Sequence, residues 1–151
     1  MRANVVLRIV GAVAALVAGY AHIKLYNDGY KDIPVGNIGK QFLLNAIGAL
    51  LIALGLVLPL IIKQLPRWVW MAAAAGGIVW GIISVAAFFI ARTDGGWFNF
   101  QDQPGFHPSP EAQLSVFSEI IVVICCTAVL GTGLATSSRS DVPSQEPPAP
   151  V

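Results

Sequence analysis

Glu119 is the residue in this sequence whose position most strongly indicates chemistry. It lies in an apolar stretch that begins near Leu114, about 8 Å inside that stretch at the rise of an α-helix. A carboxylate at such a depth in a membrane costs about 2–3 kcal/mol unless it is paired or protonated. We therefore expect Glu119 to face other helices or a wet cavity, where it could hold a proton or bind a ligand.

Five further polar residues are expected in the same half of the membrane, because each lies near the same end of an apolar stretch. They are Tyr20, His22, Gln41, Asn45 and Arg92. Together with Glu119 they predict a pocket that opens to the outer surface and binds a ligand or a proton. The alternative is an internal structural network, in which Glu119 pairs with Arg92 or His22 and nothing binds. The inner half is expected to be almost purely apolar.

Four long apolar stretches must position these residues. Hydrophobic residues make up 56% of the 151 residues, charged residues make up 11%, and the mean hydropathy is +0.70. Soluble domains carry about 25% charged residues, so the composition excludes an ordinary soluble domain. Each stretch is close to or above the length of about 20 residues that an α-helix needs to cross the hydrocarbon core. The predicted spans are 5–26, 42–62, 68–91 and 114–135.

These spans predict an all-α membrane protein, an antiparallel four-helix transmembrane bundle with up-down-up-down order. The link at 64–67 is so short that the second and third spans must be antiparallel neighbours. One transmembrane domain is predicted over 1–136. A disordered cytoplasmic tail, rich in Ser and Pro, is predicted over 137–151.

The distribution of cations favours cytoplasmic N- and C-termini. Five Lys and Arg residues then lie inside and four outside, a bias in the direction of the positive-inside rule. The predicted location is a bacterial inner membrane. Arg2, Arg8 and the small residues up to Ala21 also resemble a cleavable secretory signal. An uncleaved span is preferred because apolar and aromatic residues continue to Tyr26.

Small residues recur at every fourth position in each span, a pattern that lets helix backbones approach closely. We expect these stripes to pack within the bundle, and the alternative is that one stripe faces a partner subunit. The stripes are Gly11, Ala15 and Gly19; Ala49 and Ala53; Ala73, Gly77 and Gly81; and Thr127, Gly131 and Ala135.

The loop at 93–113 carries four aromatic residues within ten positions. It could act as a lid or binding loop, but insertion of its rings into the lipid headgroup layer is the preferred interpretation. With two histidines and no ligand spacing, neither a metal site nor a haem or other cofactor is expected. Cys125 and Cys126 are expected to be small apolar fillers. No catalytic motif and no basic stripe for nucleic acid is found in the sequence.

The segment 30–36, Tyr-Lys-Asp-Ile-Pro-Val-Gly, followed by Gln-Phe-Leu-Leu-Asn at 41–45, resembles small four-span membrane proteins of actinobacteria. Tyr20 and His22 at the end of the first span add to this resemblance. A more distant likeness is to the DoxX-like families of four-helix proteins, some of which are tied to quinone-linked sulfur or redox chemistry. The resemblance implies a fold more than an activity, since it includes no motif that carries a catalytic residue.

Two functions are therefore expected as alternatives. The first is a non-enzymatic accessory subunit or binding protein of a larger membrane assembly, whose partners are the lipid bilayer, other membrane proteins and a lipophilic small molecule. The second is a DoxX-like, quinone- or lipid-linked redox or proton-transfer component. In it Glu119 would carry the proton and His22 or Arg92 would tune it. The lack of recognisable catalytic spacing favours the first.

Overall fold

The computed structural model describes residues 2–140, with side-chain environments for 3–132. Within that range the chain forms no β-strand and four long α-helices, which are α1 (Arg2–Asn27), α2 (Ile38–Ile61), α3 (Arg67–Ile90) and α4 (Glu111–Ser140). Two short 3₁₀ turns lie between α1 and α2, at Tyr30–Asp32 and Val35–Asn37. Residues 137–140 of the predicted tail continue α4, whereas 141–151 lie outside the described residues.

Each of these four helices is long and apolar enough to cross a membrane, which confirms the predicted fold class. The shortest, α2 and α3, have 24 residues each. They are therefore about 36 Å long, more than the hydrocarbon thickness of about 30 Å. Their outward faces carry large apolar side chains such as Leu44, which is 65% exposed, and Val79, which is 58% exposed. Such a surface suits contact with lipid.

The helices form a ring in which each one contacts the two beside it. α1 packs against α2 and α4, and α3 packs against the same two helices from the opposite side. Consecutive helices run in opposite directions, as predicted. One end of the bundle, which we call the turn end, holds the short 62–66 link between α2 and α3. The other, the loop end, holds the segments 28–37 and 91–110.

Small residues allow the close approach of three of the helices to their neighbours. A Cβ added to Gly19 would lie 3.0 Å from the Cβ of Ala49, and one added to Gly81 would lie 2.6 Å from Val123 Cγ2. These stripes therefore pack within the bundle, as expected. The stripe on α4 differs, because Thr127 is exposed and Gly131 faces open space.

The prediction of an almost purely apolar half at the turn end is wrong. Arg8 is only 6% exposed, and its Nε donates a hydrogen bond of 2.8 Å to the backbone oxygen of Leu56. Pro59 lies inside α2 and has no N–H, so the carbonyl of Gly55 loses its helical donor. Arg8 therefore binds α2 beside a turn that is already disrupted. Its long apolar stem lets it be buried among the helices.

Candidate functional site

The buried pair of His22 and Glu119 joins α1 to α4 at the loop end. His22 Nε2 lies 2.8 Å from Glu119 Oε1, and the Ser115 hydroxyl donates to the same oxygen over 2.9 Å. The Ser115 oxygen is also 3.3 Å from His22 Nε2. Glu119 is 1% exposed and His22 is 6% exposed. The three side chains thus form a compact cluster that is shielded from solvent.

Helix geometry explains why these side chains meet. Ser115 and Glu119 are four residues apart, so they lie on the same face of α4, one turn from each other. Glu119 is eight residues beyond the first residue of α4, which places it about 12 Å along the helix. His22 lies at a similar depth near the end of the antiparallel α1. Gly81 of α3 lets α4 come so close that a Cβ there would lie 3.1 Å from the Glu119 carbonyl.

The second nitrogen of His22 has no hydrogen-bond partner within the described part of the chain. If Nε2 carries the proton that Glu119 accepts, neutral His22 presents Nδ1 as an acceptor. If the imidazole is doubly protonated, or if Glu119 donates to Nε2, Nδ1 carries a proton and is a donor. In every case the buried Nδ1 group lacks a hydrogen-bond partner, which costs about 1–3 kcal/mol. A water molecule or a ligand atom would remove this cost.

Aromatic rings fix the orientation of the imidazole. The ring of Phe42 on α2 meets His22 edge to face, with centroids 5.3 Å apart. Trp80 on α3 makes a similar contact at 6.4 Å. The indole N–H of Trp80 is also buried and finds no acceptor among the described residues. His22 is therefore held by all three neighbouring elements, with little freedom to turn away from Glu119.

A cavity of about 80 Å³ extends from this pair towards the loop end. A cavity needs about 10–15 Å³ to hold a water molecule, so several waters or a small ligand group fit. Its polar lining comes from both sides of the bundle. Ser84 on α3 donates to Asn45 Oδ1 on α2 over 3.2 Å. Gln41, one turn before Asn45, accepts from the Trp97 indole over 2.7 Å.

Arg92 lines the outer part of the cavity, but it does not pair with Glu119. Its Nη2 lies 3.2 Å from Asp102 Oδ2 and donates to the His107 carbonyl over 2.7 Å, and its Nε donates to the Gly105 carbonyl. The guanidinium also lies 3.5 Å from the centroid of the Phe88 ring. Burial lowers the pKa of Arg92. Arg92 thus holds the 91–110 segment against α3, and Glu119 has His22 as its basic partner.

Asp102 connects this segment to the 3₁₀ turn Tyr30–Asp32 between α1 and α2. Its Oδ1 accepts a hydrogen bond of 2.8 Å from the Tyr30 hydroxyl. Burial, followed by this bond to a carboxylate, raises the pKa of Tyr30. No pattern in the sequence indicates this role, because loop residues follow no helical period. An acid ten residues after Arg92 could equally have been solvated.

The aromatic residues of the loop mostly contact the bundle. Trp97 is half-buried above Gln41, Phe100 meets Tyr30 at a centroid distance of 6.1 Å, and Phe106 stacks on Phe88 and Phe117. Phe98 is 63% exposed. The loop therefore covers the loop end, and Phe98 is the ring best placed to enter a headgroup layer.

The structure brings five of the six predicted site residues to one cavity. They are His22, Gln41, Asn45, Arg92 and Glu119. Tyr20 does not belong with them, because it is 61% exposed on the outer face of α1. Successive residues are about 100° apart round a helix. Tyr20 and His22 are two positions apart and therefore point in opposite directions. Ser84, Trp97, Asp102 and Ser115 add to its polar lining.

The arrangement can hold a proton between a carboxylate and an imidazole, and it offers hydrogen-bonding groups to a ligand. In the part of the chain that the structure describes, no three His, Cys, Asp or Glu side chains gather as metal ligands. Cys125 and Cys126 are buried and are not paired with each other. They pack as apolar fillers against Gly11 and Gly77.

Comparison with known proteins adds no family assignment. The chain matches no protein-family model, no curated protein and no solved structure. The conclusions on function therefore rest on the residues and geometry of this chain.

Proposed function

We propose that this chain is a small membrane binding protein, whose loop-end cavity takes a ligand with a polar group. The observation that carries this proposal is the buried pair of Glu119 and His22 beside a cavity of about 80 Å³. The ligand's polar group would bond the unmet His22 Nδ1 and the side chains of Asn45 and Gln41. The rest of the ligand would be lipophilic, which would allow the ligand to enter the cavity from the membrane.

The alternative of a purely structural network explains less of the site. A buried ion pair adds little net stability, and well-packed apolar residues often do better in its place. A network that served only stability would also be expected to satisfy its own atoms. Here His22 Nδ1 is left without a partner in the described chain, although room for another group lies next to the ring.

The binding protein is further proposed to act without catalysis, as an accessory subunit of a larger membrane assembly. The α4 stripe supports this role, because Thr127 and Gly131 are small and face outward. Small residues on a lipid-facing surface allow another helix to approach closely. Affinity purification in mild detergent tests this part. If a partner helix packs on that face, Gly131→Leu should release the co-purified subunit. Gly76→Leu on the outer face of α3 should not release it.

A proton-transfer component, with a quinone- or lipid-linked partner as in DoxX-like proteins, is the second candidate. The 2.8 Å contact between Glu119 Oε1 and His22 Nε2 favours it, because a carboxylate and an imidazole at that distance can exchange a proton. Glu119 would carry the proton and His22 would tune its release. Arg92 would act only indirectly, through the loop.

The cavity is proposed to open at the outer surface of a bacterial plasma membrane, with both termini in the cytoplasm. Support comes from the cations near the turn end, among them Lys63 and Arg67 in the short link between α2 and α3. Reporter fusions to the C-terminus test the orientation. Activity of a cytoplasmic reporter is expected, and activity of an exported one would reverse the assignment.

Native mass spectrometry of the protein, extracted from its own membranes in mild detergent, tests the binding function. We expect a bound molecule of defined mass in the wild type. Glu119→Gln should lower its occupancy at least about tenfold, because it weakens the bond to His22 that holds the imidazole in place for the ligand. Ser115→Ala should lower it less.

Ser118→Ala is the matched control for Ser115→Ala. Both serines are buried on α4, but of the two only Ser115 donates a side-chain hydrogen bond to Glu119 and lines the cavity. Ser118→Ala should keep wild-type occupancy. A folded wild type with no bound molecule, or equal occupancy in Glu119→Gln, would refute the binding proposal.

A further inference from the structure

A second concave site lies at the turn end, on the opposite side of the bundle from the candidate cavity. It is a groove of about 690 Å³, within the size range of ligand pockets. All four helices contribute to it. Its apolar wall includes Val5, Leu60 and Trp70, and its polar wall includes Arg8, Lys63 and Arg67.

Arg8 is the most informative residue of this groove. It is 94% buried, yet its Nη2 has no hydrogen-bond partner within the described range. Nε is already used by the Leu56 carbonyl, and the guanidinium lies 5.4 Å from the centroid of the Trp70 ring. A buried charged donor without a partner is costly. The geometry is that of a cation held in place for an anion that binds from the groove.

The surrounding charges favour an anion as well. Lys63 and Arg67 line the groove beside Arg8, and none of the described residues that line it is acidic. Arg67 is also the first residue of α3. The N-terminus of a helix carries a partial positive charge and attracts anions. Three cations and a helix N-terminus therefore converge on one groove.

We propose that this groove binds a phosphate group, and that the phosphate is the headgroup of an anionic phospholipid. Guanidinium groups match the geometry of phosphate oxygens and bind them through paired N–H donors. Basic pockets between membrane helices are known sites for anionic headgroups. The apolar wall of Val5, Leu60 and Trp70 would lie along the glycerol and upper acyl chain. This site is independent of the cavity at Glu119.

Titration of the full-length protein with phosphatidylglycerol or phosphatidylcholine, read by native mass spectrometry in detergent, tests the site. Wild type should bind phosphatidylglycerol more tightly. Arg8→Gln should weaken phosphatidylglycerol binding by at least about tenfold. Lys63→Gln should weaken it about fivefold, the effect of one surface cation.

Lys40→Gln is the matched control. Lys40 is exposed at the loop end, so the substitution removes the same charge at a distance from the groove. It should leave the affinity for phosphatidylglycerol unchanged. Equal affinity of wild type and Arg8→Gln, or equal weakening by Lys40→Gln, would overturn the proposal.

Competition with inorganic phosphate shows whether the groove binds the phosphate of a lipid headgroup or soluble phosphate. Millimolar phosphate should not displace phosphatidylglycerol from a lipid site that also uses the apolar wall. If phosphate alone binds and displaces the lipid, the groove is a site for soluble phosphate and the lipid assignment is wrong. If Arg8→Gln does not fold, the exposed Lys63→Gln decides the matter, and unchanged lipid affinity in that variant rejects the site.

Discussion

At the scale of single residues, Glu119 combines a costly position with a specific set of contacts. The carboxyl group is fully buried, and His22 and Ser115 both contact its Oε1. Each contact offsets part of the cost of burying the group. Removal of any one partner should therefore destabilise the protein, because the others stay buried with fewer bonds.

The two serines on α4 give the cleanest test at this scale. Ser115→Ala should lower the free energy of unfolding by about 1 kcal/mol, since the hydrogen bond to Glu119 is lost. Ser118→Ala should change it by about 0.5 kcal/mol or less, because its side chain makes no hydrogen bond to any residue that the structure describes. Unfolding by sodium dodecyl sulfate in mixed micelles measures both. Equal losses would show that Ser115 has no special partner.

An ionisable group that interrupts an apolar stretch is the clearest sequence signal of a buried polar residue, and Glu119 and His22 are both buried. Glu119 is predicted on that basis, whereas His22 is predicted from its depth near the end of the first span. Tyr20 was included by depth alone, and its angular position on α1 directs it outward. Arg8 was counted among the cations that flank the membrane, since a sequence does not show that a carbonyl near Pro59 can take its guanidinium. Asp102 was missed because loop contacts follow no period.

At the scale of secondary-structure elements, the distance between α3 and α4 depends on Gly81. A side chain there would meet both Val123 and the backbone of Glu119. Apolar length and small-residue spacing were enough to predict the helices and three packing stripes. They could not predict which side of α4 would face its neighbours.

Substitution of two glycines on α3 tests this packing. Gly81→Ala should destabilise the protein by about 1–3 kcal/mol, because the added methyl group must push the helices apart. Gly76→Ala should be neutral or stabilising by up to about 1 kcal/mol, since Gly76 faces open space and Ala is the better helix former. The same unfolding assay applies. A stable Gly81→Ala would contradict the close approach of α3 and α4.

A few polar contacts hold the 91–110 segment over the loop end of the bundle. Asp102→Asn should weaken its bonds to Arg92 and Tyr30, and amide hydrogen exchange over 93–107 should become about tenfold faster. Asp94→Asn changes an exposed acid of the same segment and serves as the control. Hydrogen exchange read by mass spectrometry compares them. Equal exchange in both variants would mean that Asp102 does not hold the segment.

At the scale of the whole molecule, the two ends of the bundle have different chemistry. The loop end holds the Glu119 cavity under an ordered cover, whereas the turn end holds a cationic groove around Arg8. Among the described residues every acid lies in the loop-end half. The proposed ligand site and the proposed lipid site are thus separated by the apolar centre of the bundle, and each can be altered without the other.

The candidate site and the functions proposed for it depend on the contact between α1 and α4 through His22 and Glu119. A double-mutant cycle of His22→Phe and Glu119→Met, measured as free energy of unfolding in mixed micelles, tests it most directly. Each single variant leaves a buried polar partner alone, so the double variant should lose at least about 1.5 kcal/mol less than the sum of the two. Losses that add within about 0.5 kcal/mol would show that the two side chains do not meet.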